Sequence, residues 1–126
     1  MKNYKKDVAE IDKTNIVGIR TYDFNDFLDI WVVAFDERLF ARSWSRLKDS
    51  WFFAFKEKGK GLLKCGKKIY EVTSVVPDDL EMIAPDINNA YERRYGQGSQ
   101  ASIAKSMQDV ARLDMTMEFK IAMRIE

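Results

Sequence analysis

From Arg112 to Ile125 the chain alternates between apolar and polar residues with a period of two. Leu113, Met115, Met117, Phe119, Ile121, Met123 and Ile125 interleave with Asp114, Thr116, Glu118, Lys120 and Arg124. Successive side chains of an extended chain point to opposite faces, so this period predicts a long strand. One of its faces is buried, and the other is wet or meets charged neighbours. A strand of this length serves two neighbouring strands or an interface, and the rest of the chain supplies the candidates.

Asn15 to Tyr22 is rich in β-branched residues and predicts a strand. Asp29 to Phe35 carries apolar residues on both faces and predicts a covered, central strand. Asp36-Glu37 turns the chain into a strand over Arg38 to Arg42. Lys60 to Cys65 and Lys68 to Val76 form a second hairpin across Gly66-Lys67. Helices are expected over Tyr4 to Asp12 and over Trp51 to Lys58. The latter has capping residues at Asp49-Ser50 and a stop at Gly59.

Asp78 and Glu81 have capping-box spacing for a later helix. Pro85 is expected to kink or restart it, and the stripe Ile87, Ala90, Tyr91, Arg94, Tyr95 carries it to Gly96. Ser99 caps a further helix through Met107. Six antiparallel strands with segregated helices make an α+β domain, and six such strands curl into a β-barrel. One short helix follows the third strand, and two or three helices precede the last. The 126 residues are one domain's worth, 1–126, and bury on the order of two-thirds of their unfolded surface. No disulfide or metal is needed to hold a core of that size.

The chain has no histidine, which removes Ser-His and Cys-His nucleophile pairs, histidine bases and histidine-ligated metals. Chemistry must come from carboxylates, Lys, Tyr, Cys65 or a bound cofactor. Cys65, the single cysteine, alternates in phase with Leu63 and reads as a small buried hydrophobe. Asp23, Asp26 and Asp29 fail the calcium-loop pattern, because Phe27 and Leu28 stand where a ligand and a tight-turn glycine are needed. No metal site is expected.

The 21 basic and 20 acidic residues nearly balance, so neither a nucleic-acid nor a membrane-surface partner is expected. The longest apolar run, Ile30 to Phe35, is far too short to span a bilayer. The charged start, Met1-Lys2-Asn3-Tyr4, leads into no apolar run, so no signal peptide and a cytoplasmic location are expected.

Arg42-Ser43-Trp44-Ser45-Arg46-Leu47-Lys48 gathers three cations, two hydroxyls and an indole in one loop. Arginine pairs bidentately with phosphate, and the N–H groups opening the next helix would add to an anion cradle. The competing reading is a solvated basic loop whose arginines pair with Asp49 or with the acidic loop from Asp23 to Asp29. Trp51 lies on the apolar stripe of its helix and reads as core, whereas Trp44 lies on no stripe and is the better ligand candidate.

The aromatic helix opening "DSWFFAF", the hairpin "KCGKKIYEV" and the helix end "AYERRYG" together resemble a family of small bacterial domains of unknown function. That family is placed in the flavin-binding split-barrel superfamily, beside the pyridoxamine-phosphate oxidases and deazaflavin-dependent nitroreductases. The resemblance covers about Asn15 to Met123. It implies a split barrel, often a homodimer, with the cofactor of active relatives at the subunit interface. Carried onto this chain, it places Arg42, Ser43, Arg46 and Lys48 at a cofactor phosphate, with Trp44 covering a ring and Trp51 where nitroreductase relatives also have tryptophan. FMN or a deazaflavin is the implied cofactor and a flavin- or deazaflavin-dependent oxidoreductase the implied enzyme. The alternative is a non-catalytic dimeric module that binds another small ligand or a protein.

Overall fold

The computed structural model describes residues 4–14, 16–108 and 114–126. The expectations for residues 1–3, residue 15 and the 112–113 opening of the last strand lie outside them. Seven strands form one antiparallel sheet: β1 (Val17–Arg20), β2 (Leu28–Ile30), β3 (Val33–Phe35), β4 (Arg38–Arg42), β5 (Lys60–Cys65), β6 (Lys68–Val75) and β7 (Thr116–Arg124). Their order across the sheet is β2-β1-β5-β6-β7-β4-β3. The helices are α1 (Lys5–Lys13), α2 (Trp51–Lys58), α3 (Leu80–Tyr95) and α4 (Ala101–Met107), with a 3₁₀ turn at Gly98–Gln100 before α4.

The sheet is a curled half-barrel of seven strands, not the closed six-stranded barrel that the pattern suggests. The expected central strand over residues 29–35 breaks at Trp31-Val32. Its first half pairs with β1 (Val17 opposite Ile30), and its second half pairs with β4 (Val33 opposite Phe40). One short segment thus supplies both ends of the sheet. Flat, six strand spacings would separate β2 from β3 by roughly 29 Å. The three Cα–Cα steps from Ile30 to Val33 reach at most about 11 Å. The sheet has to curl.

β7 does serve two neighbours: Phe119 lies opposite Leu39 of β4 on one side and Ser74 of β6 on the other. Met115, Met117 and Phe119 are buried as the alternation requires. So are the intervening Thr116 and Glu118, because charged partners cover the second face. Arg38 grips Glu118 with Nε at 3.0 Å and Nη2 at 2.9 Å, and reaches Asp79 with Nη1 at 2.9 Å and Nη2 at 3.1 Å. That fork ties β4, β7 and the start of α3 together.

Two apolar clusters lie on opposite faces of the sheet. Leu39 joins Leu63, Val72, Met117, Phe119 and the α2 rings Phe52 and Phe55. Its neighbour Phe40 joins Val33, Ile87, Tyr91, Tyr95 and Ala104 beneath α3 and α4. Adjacent strand residues serve different cores because the strand alternates. Gly61 lets α2 lie close on β5: a Cβ there would stand 2.5 Å from both the Arg20 carbonyl oxygen and Phe55 Cε1. Gly59 ends α2 with φ 73°, donating its N–H to Phe55 O at 2.8 Å. Cys65 is buried, its sulfur 3.0 Å from Thr14 Oγ1.

Helix α3 runs unbroken through Pro85. The lost hydrogen bond and ring clash cost about 3 kcal/mol, and burial of Ile83, Ile87, Ala90, Tyr91 and Tyr95 outweighs it. Asp79 takes the N-cap position without a capping bond, its carboxylate being held by Arg38, so the expected Asp78–Glu81 box does not form. Ser99 falls inside the 3₁₀ turn, and Gln100 precedes α4. Among the described residues, no helix is long and apolar enough to cross a membrane.

Candidate functional site

Strand β4 ends at Arg42, and the chain turns through residues 43–48 into α2. An open cleft of about 560 Å³ lies beside this turn. Leu28, Asp29, Ile30 and Trp31 form one wall, where β2 gives way to the break in the sheet. Arg42, Ser43, Trp44 and Ser45 form another, and Asp49, Ser50 and Trp51 bring the start of α2 to it. Ile103 and Met107 of α4 complete the lining. This volume is within the usual range for small-ligand sites, and three indoles line it. A smaller depression of about 240 Å³ adjoins it and shares Leu28, Asp49 and Trp51.

Of the residues that the resemblance placed at a cofactor, Arg42, Ser43, Trp44 and Trp51 line the cleft, whereas Arg46 and Lys48 do not. Arg42 is 3% exposed and its donors turn into the fold. Nε donates to Thr116 Oγ1 at 3.1 Å, Nη1 to Met107 O at 2.9 Å and to Asn88 Oδ1, and Nη2 to Ala84 O at 3.5 Å. Its backbone N–H donates to the Tyr91 hydroxyl at 2.8 Å. Burial lowers the guanidinium pKa, partly offset by Tyr91, and burial raises that of the Tyr91 phenol. Arg42 therefore joins β4, β7, α3 and the end of α4 at the cleft floor.

The turn is held by its own polar groups. Ser43 Oγ donates to Ser45 O at 2.6 Å, and Leu47 N–H donates to Ser45 Oγ at 3.1 Å. Arg46 forks onto Asp114, Nη1 to Oδ1 at 2.5 Å and Nη2 to Oδ2 at 2.7 Å. That contact holds the Asp114 carboxyl below its ordinary pKa. Arg42 thus has partners on β7, α3 and α4, and Arg46 is paired with Asp114, just ahead of β7. Trp44 is 51% exposed at the rim. Trp51 serves the core as its stripe predicts, its ring centroid 6.0 Å from that of Phe119, and it presents a further surface to the cleft.

Sequence reasoning missed Trp31, which lies in an apolar run that reads as ordinary strand core. It stacks on Tyr95 with centroids 3.9 Å apart and planes 5° from parallel, and it also lines the cleft. It missed Asn88 and Thr116 as partners of Arg42 too, since neither stands near residue 42 in the chain. Ser50 Oγ, expected to cap α2, makes no capping bond and is buried at the cleft without a hydrogen-bond partner among the described residues.

A curled antiparallel sheet with helices against both faces and an indole-lined cleft beside its break defines a small α+β half-barrel with a ligand-sized cavity. The chain belongs to the family of uncharacterised proteins conserved in bacteria designated DUF2255, whose model matches residues 6–121. No curated protein matches the sequence.

Proposed function

We propose that this cleft binds a planar heteroaromatic molecule of the flavin or deazaflavin type, in a half-barrel related to the flavin-binding split barrels. The observation that carries the reading is the combination of volume and lining: about 560 Å³ beside Trp31, Trp44 and Trp51. Offset stacking on indole favours a flat ring system. Trp31 is preset by its stack on Tyr95, and Trp51 by its packing against Phe119. Trp44, exposed at the rim, covers the ring once it is seated. Arg42 belongs to the frame of the cleft, its guanidinium turned into the fold, and the Ser43 hydroxyl meets the polar edge of the ligand.

A bound flavin would supply the redox chemistry, which suits a chain without histidine and would make the protein an oxidoreductase. A second copy of the chain would cover the open side, where Leu28 (51% exposed), Trp44 and Ile103 (41%) form an apolar rim. The same rim favours a second reading, a non-catalytic module that binds another small ligand or a protein there. Titration with flavins, followed by tryptophan quenching and thermal shift, tests the first reading. Saturable quenching that weakens in Trp44→Ala supports it. Absence of any response to flavin or deazaflavin rings removes it. Sedimentation at several concentrations decides whether the rim pairs two copies.

A further inference from the structure

We infer that the cleft selects the flavin-type ring in a form without phosphate and discriminates against its phosphorylated form. This inference rests on the reading of the cleft as a flavin-type site and concerns the charge of the occupant. The side chains lining the cleft comprise one cation, Arg42, and two carboxylates, Asp29 and Asp49. Arg42 directs its guanidinium away into Thr116, Asn88 and the carbonyls of Met107 and Ala84. Arg46 is engaged bidentately by Asp114, and neither it nor Lys48 lines the cleft. In the adjoining depression Arg20 donates to Phe24 O at 2.6 Å, and Asp26 and Asp49 line the same depression.

The two carboxylates are differently placed from the cations. Neither Asp29 nor Asp49 forms an ion pair among the described residues, and both are exposed. The start of α2 would by itself attract an anion, but Asp49 directly precedes its N-cap Ser50 and already supplies negative charge there. A phosphate dianion entering this cleft would meet two carboxylates and no cation turned towards it. A neutral ring meets three indoles, the Ser43 hydroxyl and the Ser50 hydroxyl, which has no hydrogen-bond partner among the described residues.

Riboflavin and FMN differ only by the phosphate, so they are the probes. Binding of each to the full chain is measured by tryptophan quenching at low and high ionic strength. Riboflavin is expected to bind about tenfold more tightly than FMN at low salt, with the gap closing as salt screens the carboxylates. Asp29→Asn with Asp49→Asn is expected to narrow the gap severalfold, mainly by improving FMN. FMN binding as tightly as riboflavin, or more tightly, would overturn the inference while leaving the flavin reading intact. Binding of neither would overturn the inference, and with no response to a deazaflavin ring either it would overturn the flavin reading as well. The salt comparison on the unmodified protein decides the matter even if the double variant folds poorly.

Discussion

Trp31 and Tyr95 lie face to face, 3.9 Å between centroids and 5° from parallel, and their contact joins the break in the sheet to the end of α3. Tyr95 is buried at the end of α3, whereas Trp31 is half-buried and turns another surface to the cleft. The residue that separates β2 from β3 is therefore also a wall of the candidate site.

Replacing Trp31 tests that double role. Trp31→Ala is expected to lower stability by about 3 kcal/mol, since it removes a large ring and the stack. Trp31→Phe should cost about 1 kcal/mol and keep the wall. Urea unfolding measures both, and equal losses in the two variants would mean that the stack contributes nothing.

Arg42→Met keeps much of the side-chain volume and removes the guanidinium. The Thr116 hydroxyl, the Asn88 amide and the Met107 carbonyl then each lose a hydrogen bond in a buried or half-buried setting. Stability is expected to fall by roughly 2–3 kcal/mol. If Arg42 were chiefly a ligand contact, its loss would change binding and leave the denaturation midpoint in place.

The hairpin from β3 to β4 turns at Asp36 and Glu37, whose φ angles are 53° and 61°. Both central residues of a tight turn of this kind need positive φ, which Asn-Gly accommodates at lower cost. Replacing Asp36-Glu37 by Asn-Gly should raise stability by about 1 kcal/mol. A thermal midpoint that stays put or falls would show that the present turn carries no such strain.

Acid should loosen the fork at Arg38. Hydrogen bonds from Arg38 hold the Asp79 carboxyl below its ordinary pKa. The unfolded chain then binds more protons than the folded one as pH falls. The stabilisation is complete above the ordinary carboxylate pKa of about 4, and it is lost as pH drops through the lower folded value. Denaturant midpoints at pH 7, 4 and 3 should fall more steeply for the natural protein than for Asp79→Asn. Parallel slopes would dissociate Asp79 from acid lability.

Much of the fold is written locally. The alternation around Met115, Met117 and Phe119 marks β7, Gly59 marks the end of α2, and Gly66-Lys67 marks the second hairpin. Each signal depends on residues close in sequence, through the period of the backbone or the φ that one residue allows. The loop from Arg42 to Lys48 was legible as the candidate site for the same reason, as cations, hydroxyls and an indole cluster there.

The sequence by itself determined an antiparallel α+β domain without histidine chemistry, the residues of most of its strands and helices, and the loop beside which the cleft lies. Only the tertiary structure decided that one apolar run becomes both ends of a curled sheet, that Trp31 joins the cleft, and that Arg42 and Arg46 are held by Asn88, Thr116 and Asp114. Periodicity tells which face of an element is apolar, but not which distant element covers it. Those partners of Arg42 and Arg46 lie 46 to 74 residues away in the chain, and no local pattern records them.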